Sequence, residues 1–301
     1  MQQDSQIPEP DFSGLSPAVW GDRFRAMGDA QGFYEPLGRL HAACFVDQRD
    51  TLLVTFEALP RIQRAGGTPL GFRLRRATGW SSLTLVSKGD TWFRSPSVAG
   101  FFDQLRRDAF FDDFERVVFY GSGPGGYAAC TYARACPGAR VLALAPQATL
   151  DPRMAGWDPR LRRMRRLPFG GRYGFAPDGL RQAAEAWVLF DPHEPHDAMH
   201  AALFGNMAHG LRTPFLGPAP DQSLEKMGVL LPLLEAVAED RLTATGFARM
   251  MRARRDFPPY LRRLLAHLDA TNRAALARVM CRSVLARWEI PSLRTWLERQ
   301  G

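Results

Sequence analysis

The chain has 301 residues, 46% of them hydrophobic and 11% aromatic. That is enough for one large domain or two small ones with a real core, and it excludes an intrinsically disordered chain. The formal net charge of +8 invites a nucleic-acid reading, but the charge is almost all arginine, with Lys88 and Lys226 the only lysines, a bias that a GC-rich genome tends to produce, and nucleic acid is not the expected partner.

The start, MQQDSQIPEPDFSG, is polar and lacks the basic-then-apolar order of a signal peptide. Residues 1–15 read as a loosely ordered tail. HAACFV (His41–Val46) and TLLVTFE (Thr51–Glu57) are apolar, β-rich and separated by DQRD, which reads as a hairpin. Short continuous apolar runs follow: Ser82–Ser87, Arg116–Gly121, Arg140–Ala145, Ala186–Asp191 and Leu211–Gly217. Such runs suit strands buried on both faces. Helical patterns alternate with them at Pro96–Asp108, Gly125–Ala135 and Gly179–Glu185. The alternation predicts an α/β fold, a mostly parallel central sheet with helices on both faces. After about Ser223 every segment has apolar residues three and four apart, so residues 224–301 read as a helical extension of a domain spanning 16–223. No apolar run approaches the ~20 residues that cross a bilayer. Cys44, Cys130, Cys136 and Cys281 form no CxxC and no metal-ligand spacing, and a reduced, cytoplasmic protein without disulfides or cofactors is expected.

The stretch ERVVFYGSGPGGYAA (Glu115–Ala129) places a glycine cluster between a strand and a helix. Gly121, Gly123 and Gly126 satisfy G-x-G-x-x-G, but no acidic residue stands at the end of the next strand, as a dinucleotide site requires. No GK[ST] follows, which excludes a Walker A loop. The other template is G-x-S-x-G, the turn that carries a hydrolase nucleophile. Gly121 and Gly125 fill its two tight positions, and Gly126-Tyr127-Ala128-Ala129 extends the match. On these residues the segment from about 30 to 225 resembles the α/β-hydrolase superfamily. The resemblance implies a serine at the apex, an acid after a late strand and a histidine after the last strand. Here Gly123 holds the apex, Asp191 holds the acid position, and Asp221 and Gln222 stand where a histidine is expected. The triad has lost its nucleophile and its base. A displaced nucleophile at Ser122 would make an esterase or acyl hydrolase with a rearranged site.

The phrases FYEPLG, GDTWFR, PQATLDPR, RYGFAPD, DAMHAALF and PYLRRLLA further resemble a family of α-proteobacterial proteins that often carry the label phosphoadenosine phosphosulfate reductase. The label implies a pyrophosphate loop resembling S-G-G-x-D-S and a reactive cysteine near the C-terminus; the chain has neither, and Cys281 sits on an amphipathic helical pattern. A degenerate, non-catalytic hydrolase-like protein is expected instead, one that binds a small anion or a protein partner. The ligand candidates are Gly123, Pro124, Gly125 and Gly126 at a helix N-terminus, with Arg160 and Arg162 from the run Arg160–Arg166. His196 and His200, four apart and near Asp191 and Glu194, are metal candidates; the plainer reading makes His200 a cap or core residue. Arg249, Arg252 and Arg255 recur every third residue on a predicted helix and read as a solvated face or an anion surface.

Overall fold

The computed structural model describes residues 11–299. The chain divides into two compact units, residues 1–190 with 195–211, and residues 191–194 with 212–301.

In the first unit the strands are β1 (Gly32–Leu37), β2 (His41–Val46), β3 (Thr51–Ala58), β4 (Ser81–Ser87), β5 (Arg116–Ser122), β6 (Arg140–Leu144), β7 (Glu185–Phe190) and β8 (His209–Arg212). They form one sheet in the order 1-2-4-3-5-6-7-8. The register from β4 through β3, β5 and β6 to β7 is parallel, and β1 and β2 run antiparallel. The helices are α1 (Pro17–Gln31), α2 (Leu59–Arg64), α3 (Leu70–Thr78), α4 (Pro96–Arg107), α5 (Pro124–Tyr132), α6 (Pro152–Ala155) and α7 (Pro195–Ala202). Pleating sends successive side chains to opposite faces, and two cores result. Ala43, Phe45, Leu83 and Leu85 pack with Phe102 and Leu105 of α4 and Tyr127 and Tyr132 of α5. Cys44, Val46 and Val86, one residue out of step, pack with Trp20, Phe24 and Met27 of α1 and with Leu59, Ile62 and Phe72. This is the α/β architecture that the sequence pattern predicts, a mostly parallel sheet with helices packed on both faces.

Three expectations need correction. β2 and β3 are not a hairpin: β4 lies between them, antiparallel to β2 and parallel to β3. Buried Ser81, the first residue of β4, accepts hydrogen bonds from the N–H groups of Gln48 and Arg49 at 2.8 and 3.0 Å, fastening the β2–β3 connection across the intruding strand. The expected helix at Gly179–Glu185 is a short 3-10 turn, Ala176–Leu180, followed by four residues of turn and then by β7. The last strand begins earlier and is shorter than Leu211–Gly217. Of the expected N-terminal tail, the first ten residues lie outside the described ones, and Phe12 is buried with its ring 5.6 Å from Trp20.

The second unit carries α8 (Pro220–Lys226), α9 (Leu230–Ala238), α10 (Ala244–Met250), a 3-10 segment Met251–Asp256, α11 (Pro258–Ala270), α12 (Ala274–Leu285) and α13 (Pro291–Glu298). Tyr260, Leu261, Leu265 and Leu268 of α11 form a core with Ala277, Cys281, Val284, Ile290 and Leu293. No helix among the described residues is long and apolar enough to cross a membrane.

Candidate functional site

β5 is central in the sheet, and its carboxyl end runs into the glycine turn. The turn is tight because three backbone segments meet there. A Cβ on Gly121 would stand 2.2 Å from the carbonyl of Gly125, and one on Gly125 would stand 2.3 Å from the carbonyl oxygen of Phe56. Neither distance is compatible with a side chain. The apex residue Gly123 has φ 56° and ψ −118°, a conformation that is costly for any residue with a Cβ. It is held there on both sides. Its N–H donates to Leu144 O at 2.8 Å, and its carbonyl accepts from Tyr127 N at 2.9 Å. A Cβ on Gly123, however, would meet nothing within 4 Å. The turn therefore keeps an apex conformation that opens on free space, and the residue there is a glycine, which bears no strain in it and has no side chain to place in the space.

α5 begins immediately beyond. Pro124 has no N–H, and the N–H groups of Gly125 and Gly126 have no hydrogen-bond partner among the described residues. Such first-turn donors, with the positive end of the helix dipole, favour negative charge. Gly125 through Tyr132 are all buried. Small residues on α5 let it lie close to its neighbours, and the tyrosines anchor the segments around it. The Tyr127 hydroxyl donates to Tyr173 O, and the Tyr132 hydroxyl donates to Phe93 O at 2.6 Å. Burial pushes the Tyr127 phenol up to about 12, so both groups stay neutral donors.

Arg94 completes this clamp, and nothing in its spacing announces it. It is buried, with its guanidinium donating to Tyr173 O at 2.5 Å, to Arg172 O at 3.1 Å and to Pro168 O. A cation bonded through its terminal nitrogens to carbonyls rather than carboxylates ties residues 168–173 to the loop after β4.

Ser122 is not at the apex. It is the last residue of β5, registered opposite Leu144, and its hydroxyl has no hydrogen-bond partner among the described residues. Arg160 is engaged, donating to buried Asp158 at 2.9 Å and to Asp197 at 2.8 Å. Arg162 is exposed in a short 3-10 segment.

The histidines separate. His200 is fully buried. Ala148 N donates to its Nδ1 at 3.3 Å, which requires Nδ1 to be an acceptor, so the proton of the neutral ring sits on Nε2 and is donated to Asp158 Oδ2 at 3.2 Å. Burial outweighs the pull of Asp158 and lowers the His200 pKa. Burial alone would raise Asp158, but the hydrogen bonds and charge of Arg160 bring it below the usual carboxylate range. His200 is thus a core residue that ties α7 to the segment after β6. Nearby His196 stacks on Trp157 with ring centroids 6.3 Å apart. Among the described residues no group of three or more His, Cys, Asp or Glu side chains is placed to hold a metal. Asp158 was not singled out from the sequence; only its place before Arg160 could have drawn notice.

Asp191, Asp221 and Gln222 belong to the second unit. Both carboxylate oxygens of Asp191 are used by backbone: Oδ1 accepts from His193 N at 2.9 Å and Oδ2 from Phe215 N at 2.6 Å. That shapes a turn in which the His193 ring lies 4.4 Å from Phe215 and 4.5 Å from His267. Asp221 and Gln222 are half-buried in the first turn of α8.

All four cysteines are buried. Burial pushes the thiols of Cys44 and Cys136 up to about 12 and raises Cys130 and Cys281 as well.

No protein-family model and no curated protein matches this sequence. Solved structures resemble it at low identity. A Pyrobaculum calidifontis esterase is 11% identical over 76% of this chain and 95% of its own, with a TM-score of 0.48. The acetyl ester-xyloside bifunctional hydrolase of Caldicellulosiruptor lactoaceticus is 11% identical over 71% and 98%, with a TM-score of 0.45. The capsule O-acetyltransferase of Neisseria meningitidis serogroup A is 12% identical over 64% and 91%, with a TM-score of 0.43.

Proposed function

We propose that this chain is a non-hydrolytic protein on an α/β-hydrolase-like scaffold, and that its Gly121–Gly126 turn binds a small anion instead of forming an acyl-enzyme. The observation that carries this reading is Gly123. Its backbone stays in the positive-φ apex conformation with open space beyond it, and it offers no oxygen or sulfur to attack a carbonyl. Covalent catalysis needs a nucleophile with a base in hydrogen-bond reach. What the turn does offer is two backbone donors and a helix dipole, the usual means of holding sulfate, phosphate or carboxylate. A displaced nucleophile at Ser122 gains no support, since that hydroxyl is the end of a paired strand and has no base bonded to it. Sulfonucleotide reduction needs an accessible thiolate, and four buried thiols with raised pKa values do not supply one.

The test is thermal denaturation of the full chain under titration with sulfate and phosphate. We expect a saturable rise in Tm that Gly123→Trp abolishes by filling the space. Gly123→Ala, which carries the backbone strain with little bulk, should retain it. No rise at millimolar anion overturns the small-anion reading and leaves a protein partner at the same turn.

A further inference from the structure

Arginine is abundant in this protein, and part of it is neutralised. Arg153, Arg160, Arg172, Arg181, Arg241, Arg287 and Arg294 each pair with a carboxylate. One cluster in the second unit is different. Arg249, Arg252, Arg254 and Arg255 line a concavity of about 360 Å³, together with Thr245, Ala248 and Met251 and no acidic residue. Arg249, Arg252 and Arg255 are exposed and form no ion pair among the described residues. Arg254 is half-buried with its Cζ 5.4 Å over the Tyr260 ring. The nearest acid in sequence, Asp256, is turned away to Arg287 at 2.7 Å and to the Trp288 indole N–H at 3.3 Å.

Local backbone explains the alignment. α10 ends at Met250 and the chain tightens into a 3-10 segment over Met251–Asp256. In a 3-10 helix residues three apart eclipse one another and are separated by about 6 Å along the axis. Arg252 and Arg255 therefore project in line, and Arg249 precedes them on the last turn of α10. Like charges held side by side in one hollow repel, and no carboxylate among the described residues lines the hollow with them.

We propose that this concavity is a binding site for an oligophosphate, a compact ligand with consecutive phosphate groups. The planar guanidinium fork matches phosphate oxygens two at a time, and an in-line series of forks suits a chain of phosphates better than a single one. The ligand is either inorganic or the phosphate tail of a nucleotide. This site is separate from the glycine turn and does not depend on the reading given for it.

The experiment is calorimetric titration of the full chain with inorganic tripolyphosphate and, in parallel, with ATP, at low ionic strength and without divalent metal. Tripolyphosphate should bind the arginine hollow with one site per chain that persists in Gly123→Trp, the variant that fills the glycine turn. Arg252→Gln/Arg255→Gln should weaken it by about tenfold or more per guanidinium removed. Arg39→Gln/Arg76→Gln, an equal change in net charge on exposed residues of the first unit, should not, and neither should Gly123→Trp. ATP binding as tightly as tripolyphosphate means the phosphates alone are read; much tighter ATP binding means a nucleotide is the ligand. Absence of saturable binding, equal weakening by the control pair, or preference for an acidic peptide over tripolyphosphate overturns the proposal.

Discussion

At the residue scale, the three glycines of the turn are under different constraints, and stability measurements should separate them. Gly121→Ala and Gly125→Ala drive a Cβ into backbone at 2.2 and 2.3 Å, where nothing can yield cheaply. Overpacking and backbone displacement of that kind cost about 1–3 kcal/mol or more, and we expect both variants to be severely destabilised in denaturant unfolding. Gly123→Ala meets no atom and bears only the backbone strain, about 1–3 kcal/mol, so it should fold and be the mildest of the three. Equal losses at all three positions would mean that the apex is packed rather than open. Asp158→Ala makes a second case. It leaves the buried Nε2–H of His200 without an acceptor and removes one partner of Arg160, and we expect a loss of about 3 kcal/mol. A loss below about 0.5 kcal/mol, the level of an ordinary surface change, would mean that the network is not structural.

At the element scale, α5 sets the geometry of the turn because it is buried on every side. Its far flank is covered by the 3-10 turn Ala176–Leu180, where a Cβ on Gly179 would stand 2.1 Å from Cys130 O and 2.6 Å from Thr131 O. Gly179→Ala should push this turn off α5 and lower Tm, with faster hydrogen exchange in residues 124–132; unchanged exchange there would contradict the packing. The strands and α5 were legible in the sequence because continuous apolar runs and a glycine cluster are local signals. β1 and α1–α3 were not: Gly32–Leu37 is short and broken by Pro36, and α1 lacks a sharply apolar face, with Trp20, Phe24 and Met27 its large buried side chains. The hairpin was misread because DQRD between two β-rich runs fits a hairpin loop, whereas the pairing of β2 with β4 is set by residues some forty positions apart. The apex glycine was plain in the sequence; the Arg94 clamp and the Asp158–His200 pair were not, since both join segments that no local pattern connects.

At the scale of the whole molecule, the buried histidines make the fold sensitive to acid. Burial lowers His41 to about 4 and lowers His200 as well. A histidine in the unfolded chain titrates near 6.5, so protons bind the unfolded state preferentially. The stability these groups contribute is complete above that value and is lost as pH falls towards 4. For His41 the full effect is roughly 3 kcal/mol. Tm should be level from pH 8 to 7 and fall between pH 6.5 and 4.5, less steeply in His41→Gln; a Tm that rises over that interval would contradict the assignment. The lowered carboxyl of Asp158 acts in the same direction only at lower pH.

The central claim is that the hydrolase-like turn has no working nucleophile. Intact-mass analysis after incubation with a fluorophosphonate probe, with p-nitrophenyl acetate turnover followed in parallel, tests it most directly. The account predicts an unmodified chain and ester cleavage that is the same in wild type and Ser122→Ala. A stoichiometric adduct on Ser122, with turnover lost in Ser122→Ala, would contradict it.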